Sequence, residues 1–116
     1  MGNKTVISVE EGLKRVVNNE KLYHRLLGKF SGRKISAQIK DAAERKEYAD
    51  AANSCHALKG LASNLAMHPL ALSAAALEER LKLGEYPEDL FFSLQEELDA
   101  VEKAIEEILA GNEGST

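Results

Sequence analysis

The chain has 116 residues and a mass of 12.7 kDa, which sets the expectation of one domain with little room for a second core. Hydrophobic residues make up 44% and charged residues 29%, with 8 Gly and 2 Pro, a balance that excludes collagen-like, proline-rich and charge-swollen disordered chains. The net charge of −4 is uneven: residues 1–60 hold 12 Lys/Arg against 7 Asp/Glu, and residues 61–116 hold 3 against 12.

With aromatics at 5% and no Trp, the core must be filled by Leu, Ile, Val and Ala, a mixture suited to closely packed helices. Residues 1–5 and 111–116 are polar and Gly-containing and read as mobile ends around a domain at 6–110. Ser8 is placed to N-cap a short helix with Glu10 and Glu11 in its first turn and Val9, Leu13, Val16 and Val17 on one face. Asn18-Asn19 interrupts it. Leu22, Tyr23, Leu26, Leu27, Phe30, Ile35, Ile39 and Ala42/Ala43 then recur at i+3/i+4 steps, with a phase slip near Ser31-Gly32 that predicts one long helix kinked or loosened there. A charged corner at Arg45-Lys46-Glu47 leads to a helix over 48–66 with Ala51, Cys55, Leu58, Ala62 and Leu65 facing inward. Pro69 starts the next helix, which uses Leu70, Ala74, Leu77 and Leu81 and stops near Gly84. Pro87 opens the last, with a stripe of Leu90, Leu94, Leu98, Val101, Ile105 and Ile108. No strand-like alternation competes. The expected fold is all-α: an antiparallel up-down four-helix bundle with a short extra N-terminal helix across one end.

Cys55 is the one cysteine, so neither an internal disulfide nor a Cys-x-x-Cys pair is available, and a reducing, cytoplasmic setting is expected. No apolar run approaches the ~20 residues a bilayer requires, and the N-terminus lacks the apolar centre of a secretion signal, so no membrane contact by this domain is expected. The basic first half does not read as a nucleic-acid surface, because it has no dense basic run, no aromatic stacking platform and no helix-turn-helix or finger signature. Basic and acidic helices lying side by side account for the same charges. No His-Glu-x-x-His, His-x-x-x-His or Glu-x-x-His pairing exists, so no metal site is expected.

Of three histidines, His24 reads as a boundary residue and His68, just before Pro69, as a capping or solvent-facing one. His56 differs because of where the helix puts it. At ~100° per residue it points roughly 140° from the mean core direction, with Gly60 at about 180°, Ser63 at about 120°, Met67 at about 160° and Lys59 on the flank at about 80°. His56, Gly60, Ser63 and Met67 thus form one outward strip. A glycine inside an exposed helix costs ~1 kcal/mol against alanine, and one turn from His56 it leaves the imidazole open to another protein's surface. Lys59, at i+3, brings an ammonium near any anion on that ring. His56 and Glu78 each lie about 11 residues, ~16 Å, from the turn at Met67-His68, so antiparallel helices set them at similar height. A carboxylate there accepts a hydrogen bond from Nδ1–H and leaves Nε2 as the nucleophile.

The string HALKGLASNLA (56–66) resembles the histidine phosphotransfer (HPt) family of two-component phosphorelays, in which Leu, Lys and Gly follow the phosphorylated histidine at the second, third and fourth positions. These fall on Leu58, Lys59 and Gly60. Residues 12–30 look like the family's first two helices and 70–79 like the helix after the histidine, so the resemblance covers about 6–108. The family commonly has Gln or Glu where Glu78 stands, and usually Gly where this chain has Ala66.

The resemblance implies a phosphoryl carrier without autonomous catalysis: His56 accepts the group from a receiver-domain phosphoaspartate and passes it to another receiver. Lys59 then stabilises the phosphorylated ring, Gly60 permits approach and Glu78 orients the imidazole, with Ser63 as a further supporting residue. Met67, Lys21 and Arg25 are assigned to partner docking, with Lys29, Arg33 and Lys34 adding to electrostatic steering. A receiver domain and a sensor histidine kinase are the expected partners, Mg²⁺ comes from the receiver, no cofactor belongs to this chain, and it acts as a monomer. A free-standing protein and the cytoplasmic end of a membrane-anchored hybrid kinase both fit. Two alternatives stand beside this: direct phosphorylation by an ATP-using kinase core of the chemotaxis type, and a docking bundle that is never phosphorylated.

Overall fold

The computed structural model describes residues 5–114, with side chains through residue 111. Six helices form: α1 (Val9–Arg15), α2 (Glu20–Gly28), α3 (Gly32–Glu44), α4 (Tyr48–Asn64), α5 (His68–Lys82) and α6 (Glu88–Gly114), with no strand among the described residues. Connections of three residues between α3, α4 and α5 and of five between α5 and α6 make neighbours antiparallel. α3 packs on α4, α4 on α5, α5 on α6, and α6 returns to α2 and α3, which closes the bundle. Its interior is Tyr23, Leu27, Ile39, Leu58, Leu70, Leu77, Leu81, Leu94, Leu98 and Val101, with Ala51, Ala52, Ala62, Ala71 and Ala74 letting α4 and α5 approach closely. The expected inward faces of α4 and α5 are buried throughout.

The phase slip near Ser31-Gly32 is a break rather than a kink: α2 ends at Gly28 and α3 begins at Gly32. At the start of α3 a Cβ on Gly32 would sit 2.5 Å from Leu98 Cδ2 and 2.6 Å from Phe30 Cε2, so the chain passes against α6 only without a side chain there. Asn19 restarts the helix as the N-cap of α2, its side chain accepting from the Leu22 N–H at 3.0 Å. Ser8 stands at the N-cap of α1 without a side-chain cap bond, and its N–H instead donates to the Ala66 carbonyl at 2.9 Å, which lays α1 across the α4–α5 turn.

Four helices end alike. After α1, α3, α4 and α5 the chain enters the left-handed region at Val17 (φ 54), Lys46 (φ 61), Ala66 (φ 61) and Gly84 (φ 78), with paired backbone bonds of the Schellman type. At α4 these are Met67 N–H to Ala62 O at 2.8 Å and Ala66 N–H to Ser63 O at 3.1 Å. This reversal corrects two expectations. Met67 is not on the outward strip: α4 stops at Asn64, Met67 leaves the helical phase and it is fully buried. Val17 does not share the apolar face of α1, because the helix ends at Arg15 and the turn leaves Val17 88% exposed. Phe91, outside the expected stripe of the last helix, is buried. That helix is described through Gly114, beyond the end expected at 110, whereas residues 1–4 and 115–116 of the ends expected to be mobile lie outside the described residues.

Candidate functional site

α4 carries His56 on its solvent face, with 67% of the side chain exposed. One turn on, Gly60 is exposed, and a Cβ built there would meet nothing within 4 Å. The protein's own atoms therefore leave the flank of the imidazole empty. From the neighbouring helix α5, Glu78 reaches the ring: its side chain is 6% exposed, and its Oε2 lies 3.1 Å from His56 Nδ1. The short α4–α5 turn and the alanine-lined contact between these helices set the two residues level.

Glu78 is held by more than the histidine. Lys59 Nζ lies 3.4 Å from its Oε1, and Lys82 Nζ, one turn along α5, 3.3 Å from its Oε2. Burial works to raise the Glu78 carboxyl's pKa, but hydrogen bonds from Lys82, His56 and Lys59 and the Lys59 charge outweigh it, and the net effect is a carboxyl below its ordinary range. An ionised carboxylate only accepts, so Nδ1 must carry the hydrogen, and in the neutral ring the lone pair is left on Nε2. Such an imidazole is a nitrogen nucleophile with an ammonium group nearby. Beneath it, the Cys55 thiol is pushed up to about 12 by burial and by the Glu78 charge, which keeps it protonated and inert.

Among the described residues no three His, Cys, Asp or Glu side chains gather as a metal ion would need. Both Glu78 oxygens are taken by cationic or N–H partners, so the donor set at His56 does not fit Mg²⁺.

The remaining sequence candidates fall apart in space. Ser63 is half-buried about two turns from His56 and makes no hydrogen bond to the Glu78 cluster. Lys21 and Arg25 are exposed on α2. Arg33, expected to help steering, is instead bound to α6, with its guanidinium 2.5 Å from Asp99 Oδ1 and 2.7 Å from Glu102 Oε1. For that residue the pairing of basic and acidic helices is the correct account. His24 is half-buried beside Tyr23, and His68 Nε2 meets Glu11 Oε1 at 3.0 Å, tying α1 to the start of α5.

Two features escaped the sequence reading. Lys82 was findable, being i+4 from Glu78. The other is a groove of about 480 Å³ where α1, α2 and α4 meet, lined by Leu26, Lys29, Phe30, Leu61 and Asn64 among others. Leu61 directly follows Gly60, and both Leu61 and Leu26 are 37% exposed.

The family model described as the Hpt domain matches residues 30–104, more than half of the chain. The chain belongs to the Hpt family. The match runs from the connection between α2 and α3 into α6 and contains His56, Lys59, Gly60, Glu78 and Lys82, while α1 and α2 lie outside it. No curated protein and no solved structure matches the chain. Hpt domains are phosphoryl carriers rather than catalysts, with receiver domains and kinases as their general partners. No helix among the described residues of this Hpt domain is long and apolar enough to cross a membrane.

Proposed function

We propose that His56 takes a phosphoryl group from the phosphoaspartate of a receiver domain and gives it to the aspartate of another receiver. The Nε2 lone pair attacks phosphorus in line, a P–N bond forms, and the P–O bond to the aspartate breaks with its electron pair leaving on the carboxylate. The observation that carries this reading is an imidazole whose Nδ1 is committed to Glu78 at 3.1 Å while the flank beside it is empty over Gly60.

Glu78 fixes the tautomer, Lys59 offsets the charge of the bound phosphoryl group, and Gly60 lets the receiver approach. The receiver brings Mg²⁺ and most of the transition-state charge stabilisation, since a small convex helical face has no phosphate cradle. The apolar groove at Leu26, Phe30 and Leu61, the last of which directly follows Gly60, gives the receiver a surface to bury, with Lys21, Arg25 and Lys29 steering its acidic face. Ser63 lies on the edge of that footprint. The domain works as a monomer on the cytoplasmic side.

The test is incubation with phosphorylated receiver, in parallel with an ATP-loaded histidine kinase core with and without receiver. Label should reach the wild-type domain from the receiver and be absent from His56→Gln, whose helical circular dichroism is unchanged. Label arriving from the kinase core without any receiver would move the assignment to the chemotaxis-kinase type, and no label from either donor would leave a docking bundle.

A further inference from the structure

Glu78 gathers more positive partners than its charge requires. Two ammonium groups and an imidazole N–H converge on one nearly buried carboxylate, and in the resting protein it neutralises one of the two lysines. Lys59 is partly exposed and Lys82 more so, which leaves both free to swing from Glu78 toward a group on Nε2.

Resting on the phosphotransfer reading above, we propose that Glu78 sets how readily the phosphoryl group leaves His56, by keeping the proton on Nδ1 and by competing with the phosphoryl group for Lys59 and Lys82. When Nε2 attacks phosphorus, Nδ1 still bears its hydrogen and the ring becomes a cation. A carboxylate 3.1 Å away favours retention of that proton. On the return step a carboxylate oxygen of the next aspartate attacks phosphorus, the P–Nε2 bond breaks and its electron pair returns to Nε2. The neutral ring with Nδ1–H is restored, and no proton has entered or left.

A cationic imidazole is the better leaving group, and a dianionic phosphoryl beside a carboxylate shares its counter-charges. Both effects favour release over storage. An amide at position 78 would reverse both: its NH₂ can donate to a bare Nδ1, which lets the proton depart, and it exerts no hold on the lysines. Among the described residues the charged or titratable groups around Glu78 are His56, Lys59 and Cys55 from α4 and Lys82 from α5, and Cys55 stays a neutral thiol.

The experiment uses potassium phosphoramidate as donor and follows phosphohistidine at position 56 by mass spectrometry and ³¹P NMR, with His56→Gln setting the background from His24 and His68. In Glu78→Gln the phosphohistidine should last about tenfold longer at pH 7. Its hydrolysis should also depend on pH between about 5 and 8, where imidazoles change charge, while the wild-type profile stays flatter there. Lys82→Gln should shorten the lifetime, and in that background the gain from Glu78→Gln should shrink at least threefold, as expected for groups sharing one charge network. Equal half-lives and parallel pH profiles for wild type and a folded Glu78→Gln would overturn the proposal. No phosphohistidine at position 56 in wild type would overturn the phosphotransfer reading itself and this proposal with it, so the two failures are told apart.

Discussion

Replacing Gly60 separates what the position costs the fold from what it gives the site. A Cβ there meets no atom within 4 Å, so Gly60→Ala adds no clash, and alanine is better by ~1 kcal/mol in a helix interior. Spread over an unfolding entropy of about 2.1 cal/mol/K per residue, that gain raises Tm by about 4 °C for a chain of this length. Gly60→Gln should also be at least as stable as wild type, yet its side chain projects into the space beside the ring that a receiver must enter. Thermal denaturation and a transfer time course on the same samples check both halves. A lower Tm for Gly60→Ala would mean the space is not free. Wild-type transfer by Gly60→Gln would refute the steric reasoning.

Val17 holds a left-handed conformation with a β-branched side chain that is 88% exposed, so Val17→Gly removes strain at little cost in contacts and should stabilise by about 1 kcal/mol, read from urea denaturation. The Glu78 carboxyl lies below its ordinary value in the folded protein, so its stabilisation is fully present above about pH 4.5 and is lost as pH falls through the folded pKa. The acid limb of stability against pH should therefore be shallower in Glu78→Gln than in wild type, and identical limbs would contradict the assignment. If Lys21, Arg25 and Lys29 steer the receiver, association by stopped flow should slow several-fold between low and high salt, and a salt-independent rate would leave these as solvated charges.

The bundle and the pairing of His56 with Glu78 were legible because both rest on helical period. The inward positions of α4 and α5 repeat at i+3/i+4, and equal distances from one short turn set two residues level across a hairpin. Period fails where helices end. Extrapolating α4 to Met67 placed a core residue on the surface, because the left-handed cap falls on Ala66, where a glycine would have announced it. The same happened at Val17. Only Gly84, among the four caps, carried its usual residue, and there the expected helix end was right. The close pass at Gly32 involves Leu98, a partner 66 residues away that no local pattern reveals. Arg33 follows the same logic, since Asp99 and Glu102 reach it only after α6 folds back.

The most direct measurement of the central claim is the phosphorus–nitrogen coupling in ¹⁵N-labelled protein after exchange with a phosphorylated receiver. The phosphoryl group should couple to Nε2 of His56 and to no other nitrogen. Phosphorus on Nδ1 of that ring, on His24 or His68, or nowhere on the protein would contradict it.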